Sequence, residues 1–274
     1  MAEMGLGRAL LDIEPCRYGY SRLTFRGPEA DTSKPYIAFL GATETVGPFL
    51  KRPFPHLVSE TLGMGCANLG IKNAGTDVFL SDADLLRVAK GAEAVVIEVM
   101  GAANLSNAFY EVHPRRNDRF VRAHDALYER APGLDLVDVH FTGHLMREIR
   151  SKARHVVADV ITELQACWIE RMRALMAAVE VPVHLLRFVP DKPGDPAEAA
   201  FVEPMMLAAL AAKAASVTRI KPSLEARANG TSEMFFTPSE AAIALNMQSA
   251  ATHREAAGAL SRAIKGDMKK ARTG

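Results

Sequence analysis

The stretch "YIAFLGATETVG", residues 36–47, decides the fold class. Its first five residues, Tyr36 to Leu40, are apolar, and Gly41 follows them directly. A short apolar run that ends at a glycine is typical of a buried strand in a parallel sheet. The small and hydroxylated residues after Gly41 predict a tight turn at the carboxyl end of that strand. In open α/β sheets, this edge is where ligands bind.

Strand and helix patterns alternate after this turn. The segments "CANLGI" and "EAVVIEVMG" have the composition of strands, whereas "HLVSETLG" and "SDADLLRVAKGA" have helical patterns that end at glycine. This β-α-β-α-β order predicts a parallel sheet with helices on both faces. We therefore predict an α/β protein with a three-layer, flavodoxin-like parallel sheet.

The second half of the chain predicts further strands and a helical insertion. A helix is expected from near Asn117 or Asp118 to about Arg130, and a long, interrupted helical stretch covers residues 145–179. "VPVHLLRFV" and "SVTRIKPS" are predicted strands, and the C-terminal residues are helical.

Composition excludes several classes of protein. The chain has 274 residues and a net charge of +1. This balanced charge gives no broad basic surface of the kind that indicates nucleic-acid binding. No Cys or His spacing typical of a metal site is present, and we expect no metal and no cofactor. Residues 1–34, rich in Gly, Pro and Arg, are predicted to be an irregular leader before a single domain of residues 35–274.

Three widely spaced cysteines, an odd number, favour a reducing compartment. The N-terminus lacks the pattern of a signal peptide, and no apolar stretch reaches the ~18 residues that a membrane span needs. We expect a cytoplasmic protein without a membrane span. These patterns define no oligomeric state.

Four blocks of the sequence resemble those of SGNH hydrolases. The first block of that superfamily, Gly-Asp-Ser-x-Thr-x-Gly, corresponds to residues 41–47, in which Thr43 stands at the nucleophile position and Ala42 replaces Asp. The second block corresponds to "NLGIKNAG", residues 68–75. The third, Gly-x-Asn, corresponds to residues 101–104 and is one residue longer here.

The last SGNH block contains a histidine before the final helix. His253 in "AATHREAAGAL" has this position, and Ala250 stands where the superfamily usually has an aspartate. The orienting acid of such a histidine would then come from elsewhere, and Asp191 or Asp195 in the loop "DKPGDPAE" are candidates.

The resemblance implies an esterase or O-acyltransferase that acts on a carbohydrate or another small polar substrate. Thr43 would be the nucleophile, His253 the base, and the Gly70 N–H and the Asn104 side chain the oxyanion donors. Substrate contacts are further predicted from the edge loops, at Glu44, Thr45, Asn68 and Asn107. The alternative roles are structural: a turn hydroxyl at Thr43, a helix residue at His253, turn glycines, and a loop cap at Asn104.

A second candidate site lies in "SNAFYEVHPRRNDRF". Its polar side chains are well suited to a phosphate, sulfate or carboxylate and predict an anionic substrate; they are His113, Arg115, Arg116 and Asp118. An internal ion-pair network is the alternative role. This segment also leaves open a sulfuryl or phosphoryl transferase, or a ligand-binding descendant of the fold without catalysis.

Nearly the whole chain is also similar to an uncharacterised bacterial domain family. The strings that carry this similarity are "LTFRGP", "NLGIKNAGTDVFL", "GAANLSNAFYEVHPRRNDRF" and "FTGHL". This similarity implies no particular activity.

Overall fold

The computed structural model describes residues 11–189 and 201–273. The strands in these ranges are β1 (Pro15–Cys16), β2 (Phe25–Arg26), β3 (Tyr36–Leu40), β4 (Gly65–Asn68), β5 (Ala94–Glu98), β6 (Tyr110–His113), β7 (Arg116–Ala123), β8 (Val183–Phe188) and β9 (Ser216–Ile220). The α-helices are α1 (Thr43–Val46), α2 (Phe54–Leu62), α3 (Asp77–Leu80), α4 (Ala83–Lys90), α5 (Asp125–Arg130), α6 (Thr142–Lys152), α7 (Val157–Val179), α8 (Pro204–Ala211), α9 (Leu224–Asn229), α10 (Ala241–Ala244) and α11 (Ala250–Thr273).

Five parallel strands form the central sheet in the order β4-β3-β5-β8-β9. Counted along the chain, this is the order 2-1-3-4-5 of flavodoxin-like sheets. The predicted α/β fold class is therefore confirmed. Strand β3 lies between β4 and β5, so the chain changes direction across the sheet at β3.

The sheet is the middle of three layers. Along β3, Ile37 and Phe39 pack in one cluster with residues of α2 and α11, whereas Ala38 and Leu40 belong to the cluster on the opposite face. That second cluster contains Trp168 of α7. Successive side chains of a strand point to opposite faces, so an unbroken apolar run is required wherever helices cover both.

An insertion between β5 and β8 contains a hairpin as well as helices, and one sequence prediction is wrong here. Residues from Asn117 to Ala123 belong to β7, which pairs antiparallel with β6, and the helix begins only at Asp125. The strand is polar on its exposed side, so it lacks the apolar alternation by which strands are predicted. Its pairing with β6 decides its conformation.

Asn117 anchors this hairpin to the loop after β4. Its buried side chain accepts hydrogen bonds from the Gly75 N–H (3.0 Å) and the Val78 N–H (3.2 Å). Its amide group also donates to the His113 carbonyl at 3.2 Å. One side chain thus fixes the hairpin against the carboxyl edge of the sheet.

The segment before β3 differs from the irregular leader that the sequence predicts. Within residues 11–34, β1 and β2 pair antiparallel, and Tyr18 and Phe25 are buried in the main core. The Arg26 guanidinium is buried and donates to the carbonyls of Leu50 (2.7 Å) and Lys51 (3.1 Å). These contacts hold the segment on the loop that follows α1.

Among the helices that the structure describes, none combines the length and the apolar character needed to cross a membrane.

Replacing Asn117 with alanine should destabilise the protein by about 2–3 kcal/mol, because the buried N–H groups of Gly75 and Val78 lose their acceptor. Urea unfolding followed by circular dichroism measures this change. Arg122→Ala is the matched control, since Arg122 lies on the same strand in an exposed ion pair with Glu111 and should cost under about 1 kcal/mol. Equal effects of the two substitutions would contradict the anchoring role.

Candidate functional site at the carboxyl edge

Three loops meet at the carboxyl edge of the sheet. They follow β3 (residues 41–47), β4 (residues 69–76) and β5 (residues 99–109). Because β4 and β5 lie on opposite sides of β3, the edge has its topological switch point here, where sheets of this type bind ligands.

Glu98, the last residue of β5, holds the start of α1. One of its carboxylate oxygens accepts hydrogen bonds from the Ala42 N–H (3.0 Å) and from the Thr45 N–H (2.8 Å) and hydroxyl (2.5 Å). Burial raises the pKa of Glu98 to about 7, against the opposing effect of the Thr45 hydroxyl. A Cβ on Gly41 would approach the Thr45 Oγ to 2.1 Å, so only glycine fits at that position.

Thr45 and Glu44 were predicted to contact substrate, and both lie inside the protein. Thr45 is fully buried against Glu98, and Glu44 is buried with an oxygen that accepts from the Gln248 N–H at 3.0 Å. Their hydrogen bonds join α1 to β5 and to the segment before α11.

Thr43 joins the loop after β3 to the loop after β4. Its hydroxyl donates to the Asn73 side-chain oxygen (3.2 Å) and accepts from the Asn73 N–H (3.0 Å). Asn73 has a φ of +55°, a left-handed conformation that asparagine adopts more readily than most residues. The side chain is half-buried, so part of it faces the edge of the sheet.

His253 is buried in the interior and shares no hydrogen bond with Thr43. Its Nδ1 accepts from the Phe54 N–H at 3.0 Å, and its Nε2 lies 3.1 Å from a Glu44 oxygen. Since Nδ1 accepts, the ring proton is on Nε2 and is donated to Glu44. The ring also packs against Phe54 and Phe188, with centroids 5.7 and 5.9 Å away.

The acid beside His253 is therefore Glu44, a partner that the sequence analysis missed. Asp191 and Asp195, the candidates from the sequence, lie outside the described residues. No sequence spacing signals the Glu44–His253 contact, because 209 positions separate the two residues.

The predicted oxyanion donors are engaged in contacts within the edge. The Gly70 N–H donates to the Asn68 side-chain oxygen at 3.0 Å, and the Asn68 amide donates to the Thr45 carbonyl at 2.8 Å. The Asn104 amide donates to the Asn73 carbonyl at 2.8 Å, and its oxygen accepts from Thr142.

Asn107 shapes the loop before β6. Its side-chain oxygen accepts from the N–H groups of Phe109 (2.9 Å) and Tyr110 (3.2 Å), and the residue is buried. The loop therefore uses Asn107 internally, and its side chain is not among those that line the cleft described next.

A cleft of about 1160 Å³ opens between the hairpin, the loop after β4 and the segment of residues 11–34, which contains β1 and β2 and is called the β1–β2 segment below. Four of the residues predicted to contact substrate line it, all from the second candidate site: His113, Arg115, Arg116 and Asp118. Gly70 lines it as well, whereas Thr43, His253 and Asn104 do not. The cleft thus brings the Arg-rich segment together with Gly70 but not with Thr43, His253 or Asn104.

The cleft is rich in cations. Its charged lining side chains are six basic ones, Arg22, Arg26, Lys72, Arg115, Arg116 and Arg119, and two carboxylates, Asp118 and Glu240. Sequence analysis missed Arg22, Arg26 and Lys72, because they come from segments far from the hairpin. In the described residues, no three His, Cys, Asp or Glu side chains are grouped to hold a metal ion.

A family model matches residues 1–268, and its description is "Domain of unknown function (DUF6473)". The chain belongs to this family. No curated protein matches it. Seven chains of solved structures match, among them the crystal structure of the lipase Lip_vut3 from a goat rumen metagenome. That lipase is 12% identical with a TM-score of 0.43, and the match covers 85% of this chain and 97% of the lipase.

Both carboxylates of the cleft in this DUF6473 chain already have partners. Asp118 accepts from the Asn73 amide at 3.1 Å. Glu240 accepts from the Thr237 N–H at 2.9 Å; the hydrogen bonds from Thr237, with a smaller contribution from Lys72, lower the pKa of its carboxyl group.

Three arginines of the cleft contrast with these carboxylates. Arg22, Arg115 and Arg116 are exposed, and within residues 11–189 and 201–273 their guanidinium groups have no hydrogen bond or ion pair. Arg119 instead lies over the Phe141 ring, 5.0 Å from its centroid. The cleft therefore carries positive charge that the described part of the chain leaves unneutralised.

Glu98→Gln should remove a pH dependence of stability. The folded state raises the Glu98 pKa from its ordinary 4.5 to about 7, so the folded protein binds more protons than the unfolded chain between these values. Stability from this group is complete below about pH 4.5 and is lost as pH rises through about 7. The glutamine oxygen accepts the same hydrogen bonds without a charge.

Thermal unfolding between pH 5 and 8.5 measures the effect. We expect the Tm of the Glu98→Gln variant, relative to wild type, to rise with pH across this range. The control is Glu93→Gln, an exposed position just before the same strand, which should parallel the wild type. A constant difference between Glu98→Gln and wild type at every pH would refute the assignment.

Proposed function

We propose that this DUF6473 chain binds a small anionic molecule, bearing a phosphate, sulfate or carboxylate group, in the cleft at the carboxyl edge of its sheet. The observation that supports the proposal is the set of unneutralised guanidinium groups of Arg22, Arg115 and Arg116 on one cavity. The three guanidinium groups repel one another, and water and salt screen this repulsion only in part. A bound anion that neutralises them is therefore favoured by the Coulomb energy.

The geometry of arginine favours this ligand class. A guanidinium group presents a planar array of donors that matches two oxygens of a phosphate or carboxylate. Arg115 and Arg116 lie at the turn of the hairpin, whose position is fixed by Asn117. The anion site is thus built on a supported loop, which lowers the entropic cost of binding.

The volume of the cleft indicates a ligand larger than an inorganic ion. Pockets for small molecules have volumes of roughly 300–1,000 Å³, and this cleft has about 1160 Å³. A phosphorylated or sulfated carbohydrate and a nucleotide both have a suitable size. A sulfuryl or phosphoryl transferase would use the same cations to hold its donor.

Replacing Arg115 and Arg116 together with alanine should weaken anion binding at least about tenfold, since each charge-assisted hydrogen bond contributes roughly 1.5–3 kcal/mol. Isothermal titration calorimetry with glucose 6-phosphate, adenosine 5′-diphosphate, inorganic phosphate and sulfate measures the dissociation constants. Binding should also weaken as salt is raised.

The control for this experiment is Arg122→Ala, which removes an arginine of the same hairpin that does not line the cleft. It should retain wild-type affinity. Failure of all four probes to bind the wild type, or equal losses in Arg122→Ala and the double variant, would overturn the proposal.

Acyl transfer from Thr43 is the second candidate function. Its hydroxyl lies at the switch point of the sheet and contacts Asn73, which lines the cleft. The mechanism needs a base to take the hydroxyl proton. Both ring nitrogens of His253 are engaged with Phe54 and Glu44, so a change of conformation or another base would be required.

Thr43→Ala separates the two candidates. Anion binding predicts that this variant hydrolyses p-nitrophenyl acetate at the wild-type rate and binds the anionic probes with dissociation constants within about twofold. Acyl transfer predicts a loss of turnover of about a hundredfold or more. Thr43→Ser is the control, because it keeps a hydroxyl that can bond Asn73 and act as a nucleophile.

A further inference from the structure

The cleft has two chemically different sides. The first, which we call the cationic wall, consists of Lys72 in the loop after β4 and the hairpin residues Arg115 and Arg116. The Asn73 amide donates to Asp118 at 3.1 Å and thereby ties this loop to the hairpin. These basic side chains therefore lie on one continuous side of the cavity.

The second side, which we call the apolar wall, comes from other parts of the chain. Ile13 and Leu23 belong to the β1–β2 segment, and Phe49 and Phe235 are joined by a backbone hydrogen bond of 2.9 Å. Ile13 and Leu23 are only half-buried, so part of each side chain is available to a ligand. Two arginines of this segment, Arg22 and Arg26, also line the cleft beside the apolar surface. Arg22 is exposed, whereas Arg26 is buried and bonded to backbone carbonyls.

We propose that the ligand of the cleft is an amphipathic anion, with its charged group on the cationic wall and an apolar aryl or alkyl group on the apolar wall. This inference rests on the anion-binding function proposed above and names the class of ligand. A purely polar anion would leave the apolar wall in contact with water, whereas burial of apolar surface on both partners favours binding.

The positions of the two walls also define the orientation of the bound ligand. The charged group lies at the turn of the hairpin, where Arg115 and Arg116 are exposed. The apolar group points toward the β1–β2 segment, which Arg26 holds on the loop after α1 through the carbonyls of Leu50 and Lys51.

Four phosphates with different substituents test the inference: inorganic phosphate, glycerol 1-phosphate, phenyl phosphate and n-hexyl phosphate. Isothermal titration calorimetry with the wild type should show phenyl or hexyl phosphate binding about tenfold tighter than glycerol 1-phosphate, as burial of some 60 Å² of apolar surface predicts. Which of the two binds tighter distinguishes an aryl from an alkyl ligand.

Variants of the apolar wall test which residues cause the preference for phenyl or hexyl phosphate over glycerol 1-phosphate. Ile13→Ser, and the double variant Ile13→Ser with Leu23→Ser, should reduce it to about threefold or less while the affinity for glycerol 1-phosphate stays unchanged. Ile13 lies outside the hydrophobic core clusters, so the single variant should fold even if the double variant does not. The control is Val121→Ser, an exposed apolar position of the hairpin away from the cleft, which should retain the full preference.

The results of these titrations distinguish a failure of the amphipathic-ligand proposal from a failure of the anion-binding function on which it rests. Equal affinities for glycerol, phenyl and hexyl phosphate, all lost in Arg115→Ala/Arg116→Ala, would overturn the amphipathic ligand and leave anion binding intact. A preference that Ile13→Ser leaves unchanged would also overturn it, since the apolar group would then bind elsewhere. If none of the four phosphates binds, the amphipathic ligand is overturned; anion binding falls with it only if glucose 6-phosphate, adenosine 5′-diphosphate and sulfate also fail to bind.

Discussion

The carboxylate of Glu98 is the constraint on which the edge of the sheet depends. It ends β5 and accepts the first hydrogen bonds of α1, so two neighbouring strands are joined at the point where the chain changes direction. The contact leaves no room for a side chain at Gly41. It also fixes the direction of α1, which places Glu44 in the interior beside His253. An uncompensated buried carboxylate is costly, and three donors from Ala42 and Thr45 offset that cost.

The side chains for which the sequence predicts catalytic or substrate-binding roles form hydrogen bonds that join the loops of this edge. Thr43 and Asn104 both bond to Asn73, Asn68 bonds to Gly70 and to the Thr45 carbonyl, and His253 joins α11 to α1 and α2. The result is a rim of mutually supported loops. The hairpin is tied to this rim through Asn117 and Asp118, and the arginines at its turn line the cleft without partners in the described chain. The same contacts that engage the predicted catalytic groups therefore also support the anion site that we propose.

Much of the architecture follows from local patterns. The apolar runs of β3, β5 and β8 predicted buried parallel strands, and the glycines after β3, β4 and β5 predicted the edge loops. The hairpin was missed because β7 is polar on its exposed side and because Asn117, a residue typical of helix starts, instead accepts backbone hydrogen bonds from the loop after β4. Within the site, Arg115 and Arg116 were identifiable from adjacent positions, whereas Arg22 and Lys72 carry no signal of their own.

Local sequence patterns were enough to predict the layers, the sheet edge and the adjacent cations Arg115 and Arg116 after the third strand of the central sheet. These depend on periodic burial and on turn residues, which act over a few neighbouring positions. The tertiary structure alone decided the partners of the polar side chains. Thr43 meets Asn73 across 30 positions and His253 meets Glu44 across 209. A hydrogen bond needs its two atoms within about 3 Å, and such proximity between distant segments arises only when the packed core brings them together.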